Sequence, residues 1–312
     1  MKTISIVIPV YCEELVIEEG YKRITSVMDA LHDHDYELIF VDDGSTDNTL
    51  SILTRLASNN EKLKIIVFSR NFGHQIAITA GLDKAQGDAV IIIDADLQDP
   101  PELIPRMIEM WENGSDVVFA KRVARKGEGR IKRWTASVFY RILDKLTDIK
   151  IPIDTGDFRL IDKKVVQEMK KIKECNRFVR GLTSWVGFKQ TGIEYERDER
   201  IAGETKYSFR KMIKFGLDGI FSFSHKPLKL SLNVGILSIA IGMAMIVYVF
   251  LGKIFFPSTV VPGWSSILIA VVFFGGVQLF TIGIIGEYIA RIYDEAKNRP
   301  LYIIRKEINF KR

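Results

Sequence analysis

Between Leu230 and Leu251 the chain carries no charged side chain. Wound as a helix, a run of that length crosses the roughly 30 Å of hydrocarbon in a bilayer. A second uncharged stretch follows Lys253, where Pro257, Pro262 and Gly263 predict a short turn before another span at about Trp264 to Gly286. Two spans return the chain to the side from which it entered. Lys226 and Lys229 stand before the first, and Arg291, Lys297 and Arg299 follow the second, whereas the connection between them holds only Lys253. Cytoplasmic flanks collect Lys and Arg, so both ends of the chain are expected in the cytoplasm. Buried helices of a soluble core would not come in tandem with flanks that agree in this way.

The division that follows is a cytosolic domain over 1–229, a two-helix membrane region over 230–286 and a cytoplasmic tail over 287–312. No secretory signal is expected at the N-terminus, because the apolar run Ile4 to Val10 is short, follows a single Lys and ends in no small-residue cleavage site. Lys and Arg total 44 against 39 Asp and Glu, a net charge of +5. That mild excess suits a membrane surface or a phosphorylated substrate and is too small to indicate nucleic acid. Cys12 and Cys175 lie far apart, without metal-ligand spacing, as in a reducing compartment. His32, His34, His74 and His225 form no zinc pattern and read as ordinary surface or core residues.

Upstream of the membrane region, short β-branched runs alternate with amphipathic segments. Strands are expected at Ser5 to Val10, Tyr36 to Asp42, Leu63 to Phe68 and Ala89 to Ile93, and helices at Glu18 to Leu31, Thr49 to Ala57 and Gln75 to Leu82. This alternation predicts a parallel α/β sheet, whose ligands bind beyond the carboxyl ends of the strands. Acidic residues collect at those ends. Pro9, Tyr11 and Glu13 follow the first run, Asp42, Asp43, Gly44 and Ser45 the second, and Asp94, Ala95 and Asp96 the fourth. Ser45, Thr46 and Asp47 also suit a helix N-cap before Leu50. Asp94 and Asp96 repel each other unless a cation or positive ligand intervenes, and a hard divalent ion sharing one or two carboxylates with diphosphate oxygens meets that need.

Through Val7-Ile8-Pro9-Val10-Tyr11 with Glu13, Val41-Asp42-Asp43-Gly44-Ser45-Thr46 and Asp94-Ala95-Asp96, the chain resembles the inverting family 2 glycosyltransferases of GT-A (Rossmann-like) fold. Asp94 to Glu102, Ser69-Arg70-Asn71-Phe72-Gly73 and Asp154-Thr155-Gly156-Asp157-Phe158-Arg159-Leu160 narrow the resemblance to the bactoprenol glucosyltransferase branch, relatives of dolichol-phosphate mannose synthase. The likeness extends over essentially the whole chain, the paired spans included. It implies a multi-pass protein of the cell's inner (plasma) membrane that moves a sugar from a UDP-sugar to a polyisoprenyl phosphate such as undecaprenyl phosphate, with Mg²⁺ or Mn²⁺. Glucose is the first choice of sugar, with mannose and modified arabinose as alternatives. It further implies that Pro9, Tyr11, Glu13, Asp42, Asp43 and Asp94 bind the nucleotide sugar, that Asp96 with Asp94 holds the metal, and that Asp157 is a base or a positioning group at the reacting centre. Arg122, Arg133 and Ser137 would meet the acceptor phosphate, and Arg200 and Lys206, in a loop with Gly203, Glu204, Thr205 and Tyr207, would lie over the phosphates. A homo-oligomer is implied too, and Gly275, Gly276 and Gly283 would allow close helix packing between copies or within one chain.

Two further segments suit a membrane interface. In Ile131 to Leu146, Ile131, Trp134, Val138, Ile142 and Leu146 share a face, with Lys132, Arg133, Arg141 and Lys145 beside them. Tyr207 to Phe223 repeats the design with Phe209, Ile213, Leu217 and Ile220 against Lys206, Arg210 and Lys214. Pattern alone also allows two core-facing helices, and nearness to the spans favours interfacial amphipathic ones. Two rivals remain. A processive polysaccharide synthase would carry Gln-X-X-Arg-Trp, but Arg133-Trp134 is preceded by Arg130. A non-catalytic nucleotide-sugar-binding membrane protein would need no metal-and-acid set.

Overall fold

The computed structural model describes residues 1–122, 152, 155–195, 224, 226–255 and 263–310. In chain order the elements are β1 (Lys2–Val10), α1 (Ile17–Asp29), β2 (His34–Asp42), α2 (Thr49–Ser58), β3 (Leu63–Phe68), α3 (His74–Lys84), β4 (Ala89–Ile92), a 3₁₀ turn (Pro101–Leu103), α4 (Ile104–Glu112) and β5 (Val117–Arg122). After 123–154 come β6 (Thr155–Asp162), α5 (Lys163–Lys171), α6 (Val179–Trp185), β7 (Gln190–Tyr195), α7 (Lys226–Phe255), α8 (Trp264–Ala296) and β8 (Ile304–Ile308). The segments 131–146 and 207–223, and with them Arg133, Ser137, Asp154, Arg200 and Lys206, lie outside the described residues.

The strands form one sheet of eight in the order β7-β5-β6-β4-β1-β2-β3-β8. From β4 through β1 and β2 to β3 neighbours run parallel, as the strand–helix alternation requires. The four strands named from the sequence are parallel as expected, and the sheet as a whole is mixed. β6 runs antiparallel to both β4 and β5, and β8 antiparallel to β3. α4 and β5 intervene between β4 and β6, and β8 follows β3 only after α7 and α8, so neither pair is joined by the single crossover helix that makes adjacent strands parallel.

Period-two alternation divides the strand residues between two apolar layers. Ile4, Ile6, Ile8 and Phe40 pack with Ile24, Leu53, Met107 and Trp111 of α1, α2 and α4. Val7, Ile39 and Val41 pack on the other face with Ala77, Ile78, Val166 and Leu182 of α3, α5 and α6. Covered on both sides, the central strands read in sequence as unbroken apolar runs.

α7 and α8 pass the length and hydropathy criteria of membrane spans. They bare side chains that water would not tolerate in such number: Leu232 is 63% exposed, Phe250 64% and Leu279 72%. α8 does not stop at Gly286. It runs on to Ala296, with Arg291 paired to Glu287 one turn away at 3.2 Å. Beyond it the expected tail contributes to the sheet, for β8 closes the edge of β3. Ser69 N–H donates to the Ile303 carbonyl at 2.9 Å, the Tyr302 ring stacks on Phe68 at 5.2 Å, and the Tyr302 hydroxyl donates to Asp83 at 2.9 Å. Near the end of α8, Glu295 accepts the Cys175 N–H at 2.9 Å, fastening the helix to the loop before α6.

Candidate active site

The acidic residues at the carboxyl ends of β1, β2 and β4 share one rim of the sheet. Two loops are zipped together there: Ser45 Oγ accepts the Cys12 N–H at 3.0 Å, Thr49 Oγ1 that of Glu13 at 2.9 Å, and Asp47 that of Glu14 at 3.2 Å. The expected N-cap cluster therefore works mostly across loops. The N-cap of α2 is Asn48, whose side chain makes no capping bond, and only Asp47 acts locally, accepting the Thr49 N–H at 3.1 Å. Cys12 takes φ 54°, a left-handed conformation costly for a side-chain-bearing residue, between Pro9-Val10-Tyr11 and Glu13. Tyr11 is 42% exposed on this rim.

Asp42 and Asp43 have different tasks. Asp42 Oδ1 accepts the Ser45 N–H at 3.1 Å, while its Oδ2 is buried with no hydrogen-bond partner among the described residues. Asp43 is spent on structure, accepting the N–H groups of Phe72 at 2.6 Å and Gly73 at 2.9 Å. Burial pushes its carboxyl up against the pull of those donors. Gly44, at φ 74°, brings this turn within reach of Arg70, where an added Cβ would lie 2.7 Å from a backbone carbon. Asp43 thus fixes the turn that launches α3, and α3 begins with His74 and Gln75.

His74 Nε2 lies 3.3 Å from Asp94 Oδ1, beyond β4, and 3.3 Å from Asp157 Oδ2, on β6. The two carboxylates sit in opposite electrostatic environments. Burial, with Asp157, Asp99 and Asp96 adding repulsion, raises Asp94 to about 6 despite His74, and its Oδ1 receives no hydrogen bond among the described residues. Burial also opposes charge on Asp157, but Arg180 and His74 outweigh it and hold that carboxyl well below the usual range. Arg180 donates to both Asp157 oxygens, at 2.7 and 3.0 Å, and Gln75 Nε2 donates to Oδ2 at 3.2 Å. Burial counts against the His74 imidazolium too, yet Asp94 and Asp157 raise it to about 9.

Two more arginines stand beside this cluster among the described residues. Arg159 is buried on the same face of β6 as Asp157, its guanidinium donating to the carbonyls of Asp157 at 3.3 Å and Gly156 at 2.9 Å and to Thr183 Oγ1 at 2.6 Å. Burial lowers it to about 10, so it remains a cation at neutral pH. Arg122, at the end of β5, donates to the Tyr195 hydroxyl at 3.2 Å and lies 3.8 Å from Asp99, to which Tyr195 also donates. It abuts Gly156, where an added Cβ would stand 2.5 Å from its guanidinium. Arg122 therefore reaches the same strand as Asp157.

Among the described residues no group of three or more His, Cys, Asp or Glu side chains is arranged to hold a metal ion. Asp94 and Asp96 nonetheless fit a hard divalent cation completed by substrate oxygens, since the buried Asp94 Oδ1 accepts no hydrogen bond among the described residues and has the His74 ring at 3.3 Å as an ion-pair partner alone. Asp96 accepts the Gln98 N–H at 3.2 Å, which orients it beside Asp94.

The structure joins Asp94, Asp157 and the acidic β2 loop into one rim and adds residues that the sequence reading missed. His74 is not an ordinary surface or core histidine: it bridges the two carboxylates. Its signal was its position immediately after Ser69-Arg70-Asn71-Phe72-Gly73 at a strand end. Arg159 stood inside the Asp154 to Leu160 motif with no role assigned to it, and Gln75 and Arg180 carried no comparable signal.

Residues 5–170 match the model of glycosyl transferase family 2, and residues 226–292 match the GtrB C-terminal hairpin. The chain belongs to glycosyl transferase family 2 and is a glycosyltransferase of GT-A fold. It is 59% identical to the Bacillus subtilis (strain 168) protein named uncharacterized glycosyltransferase YkcC, over 97% of this chain and 93% of that one. It is 43% identical to the prophage bactoprenol glucosyl transferase homolog of Escherichia coli (strain K12), over 97% and 98%. It is 44% identical to the bactoprenol glucosyl transferase of Shigella phage SfII, over 97% of each.

Proposed function

We propose that the chain transfers a sugar, with glucose the first choice, from a UDP-sugar to a polyisoprenyl phosphate at the cytoplasmic face of the plasma membrane. One observation carries the reading: a single chain joins an acidic sheet rim, backed by arginines, to a pair of helices long and apolar enough to cross a bilayer. Relatives similar over the same length, hairpin included, are named bactoprenol glucosyl transferases. α7 and α8 would hold the domain against the bilayer, and a second copy would pack along the bare glycines of α8.

In this reading an acceptor phosphate oxygen bonds to the anomeric carbon as the bond from that carbon to the diphosphate breaks, inverting the configuration. Asp42 Oδ2 offers a buried acceptor to a nucleoside N–H, and Pro9, Tyr11 and Glu13 line the same rim. Asp94 and Asp96 would hold Mg²⁺ or Mn²⁺, whose charge would be available to offset that of the leaving diphosphate. Arg122 supplies positive charge for the acceptor phosphate, and Arg133, Ser137, Arg200 and Lys206 are proposed to do the same. Asp157 serves as a fixed anion. A phosphate monoester, with a second pKa near roughly 6, has little proton to give at neutral pH, and a carboxylate held well below its usual range is a weak base.

The test incubates the purified full-length protein with UDP-glucose, Mg²⁺ and undecaprenyl phosphate, following UDP release and glycolipid, with Asp96→Ala as control. Lipid-dependent turnover lost in Asp96→Ala supports the reading. Turnover only with another nucleotide sugar corrects the donor, and silence with every donor overturns the reading in favour of a binding protein.

A further inference from the structure

Asp157 is held more completely than its neighbours on the rim. Its Oδ1 takes one prong of Arg180 at 2.7 Å, and its Oδ2 takes the other at 3.0 Å, with Gln75 at 3.2 Å and His74 at 3.3 Å. Three donors on one oxygen leave it no room for a substrate proton. The same two residues pin the start of α6. Arg180 Nη1 donates to the Thr155 carbonyl at 2.9 Å, and Gln75 Oε1 accepts the Val179 N–H at 2.8 Å. β6, α3 and α6 therefore meet at a single carboxylate, and that carboxylate faces His74, which faces Asp94.

We propose that Arg180 is a positioning residue for sugar transfer, its two-pronged hold on Asp157 setting His74 against Asp94, with Gln75 as the second support. The inference rests on the sugar-transfer reading above and adds α6 to the elements that define the reacting geometry. A planar guanidinium reaches both oxygens of a carboxylate at once, and an ammonium supplies only a point charge. Arg180→Lys should thus keep the charge balance and lose orientation, whereas Arg180→Ala loses both. A displacement of about 1 Å at reacting groups costs on the order of 100-fold in rate.

The experiment measures kcat and donor KM for full-length wild type, Arg180→Ala, Arg180→Lys and Gln75→Leu, with undecaprenyl phosphate and UDP-glucose or whichever nucleotide sugar the wild type turns over. The expected result is a loss of about 100-fold in kcat for Arg180→Ala with donor KM within about 3-fold of wild type. Arg180→Lys should recover about a tenth of wild-type kcat, and Gln75→Leu should lose about 10-fold, with thermal melting close to wild type in both. Should Arg180→Ala fail to fold, Arg180→Lys and Gln75→Leu are judged by the same split between kcat and KM. Wild-type kcat in a folded Arg180 variant, or a loss confined to KM, overturns this inference alone. A wild type silent with every donor overturns the sugar-transfer reading and this inference with it.

Discussion

The loop beyond β4 and the start of β6 each present a carboxylate to His74, yet the chain treats the two in opposite ways. Asp94 is raised to about 6 by burial and by its acidic neighbours, and its Oδ1, with the His74 ring at 3.3 Å, accepts no hydrogen bond among the described residues. Asp157 is surrounded by Arg180, His74 and Gln75, and stays ionised far below neutral pH. The contrast separates two roles that a list of acidic residues would merge. A carboxylate left short of positive charge is suited to receive it from outside, with the ligand, whereas one already saturated serves as a strut.

Several substitutions would break or sharpen that contrast. Asp94→Asn should produce the largest effect, a loss of at least about 1000-fold in turnover, because the neutral amide brings no charge to a cation shared with the diphosphate. A loss below about 10-fold would remove Asp94 from the proposed site. Asp157→Asn should cost less, about 100-fold, through loosened geometry. Because Asp157 is ionised throughout, that loss should vary between pH 6 and pH 8 only through Asp94 and His74, whose protonation Asp157 biases, and by well under tenfold. A ratio that changes tenfold across the interval would restore Asp157 as a base.

Away from the rim, Glu37 tests whether a saturated carboxylate is a strut for the fold as well. It is buried, accepts from Lys64 at 2.5 Å, Ser5 at 2.5 Å and the Gln86 N–H at 2.9 Å, and these donors outweigh burial to lower its pKa. Glu37→Gln should destabilise the domain by about 2 to 3 kcal/mol in denaturant titrations at pH 7. A folded-state pKa below the unfolded value of 4.5 means that this contribution is fully present above 4.5 and disappears as pH falls through the folded value. The gap between wild type and variant should therefore close in acid. The smallest effect belongs to Tyr302→Phe, which deletes the bond to Asp83 and should cost about 1 kcal/mol, measured the same way.

Much of the site could be read from the chain because β4 ends an unbroken apolar run on Asp94, and β2 ends another on Asp42, so chemistry stands where hydrophobicity stops. What stayed hidden depends on distance along the chain. His74 meets Asp157 across 83 positions and Arg180 meets it across 23, and neither spacing has a periodicity to betray it. β8 was missed for a different reason. Ile304-Arg305-Lys306-Glu307-Ile308 has charged residues at its three central positions, as an edge strand paired on one side can, and so shows no alternation. The mixed sense of the sheet was illegible because β4 and β6, like β3 and β8, are separated by other elements and not joined by the short helical crossovers that make strand direction predictable.

The contrast between the two carboxylates is tested most directly by titrating Mn²⁺ into the protein with UDP present, in wild type, Asp94→Asn and Asp157→Asn, and following bound metal by calorimetry or electron paramagnetic resonance. The account predicts that Asp94→Asn weakens UDP-dependent Mn²⁺ binding by at least about 10-fold while Asp157→Asn stays within about 3-fold of wild type. Equal weakening in both variants, or a loss in Asp157→Asn alone, would contradict it.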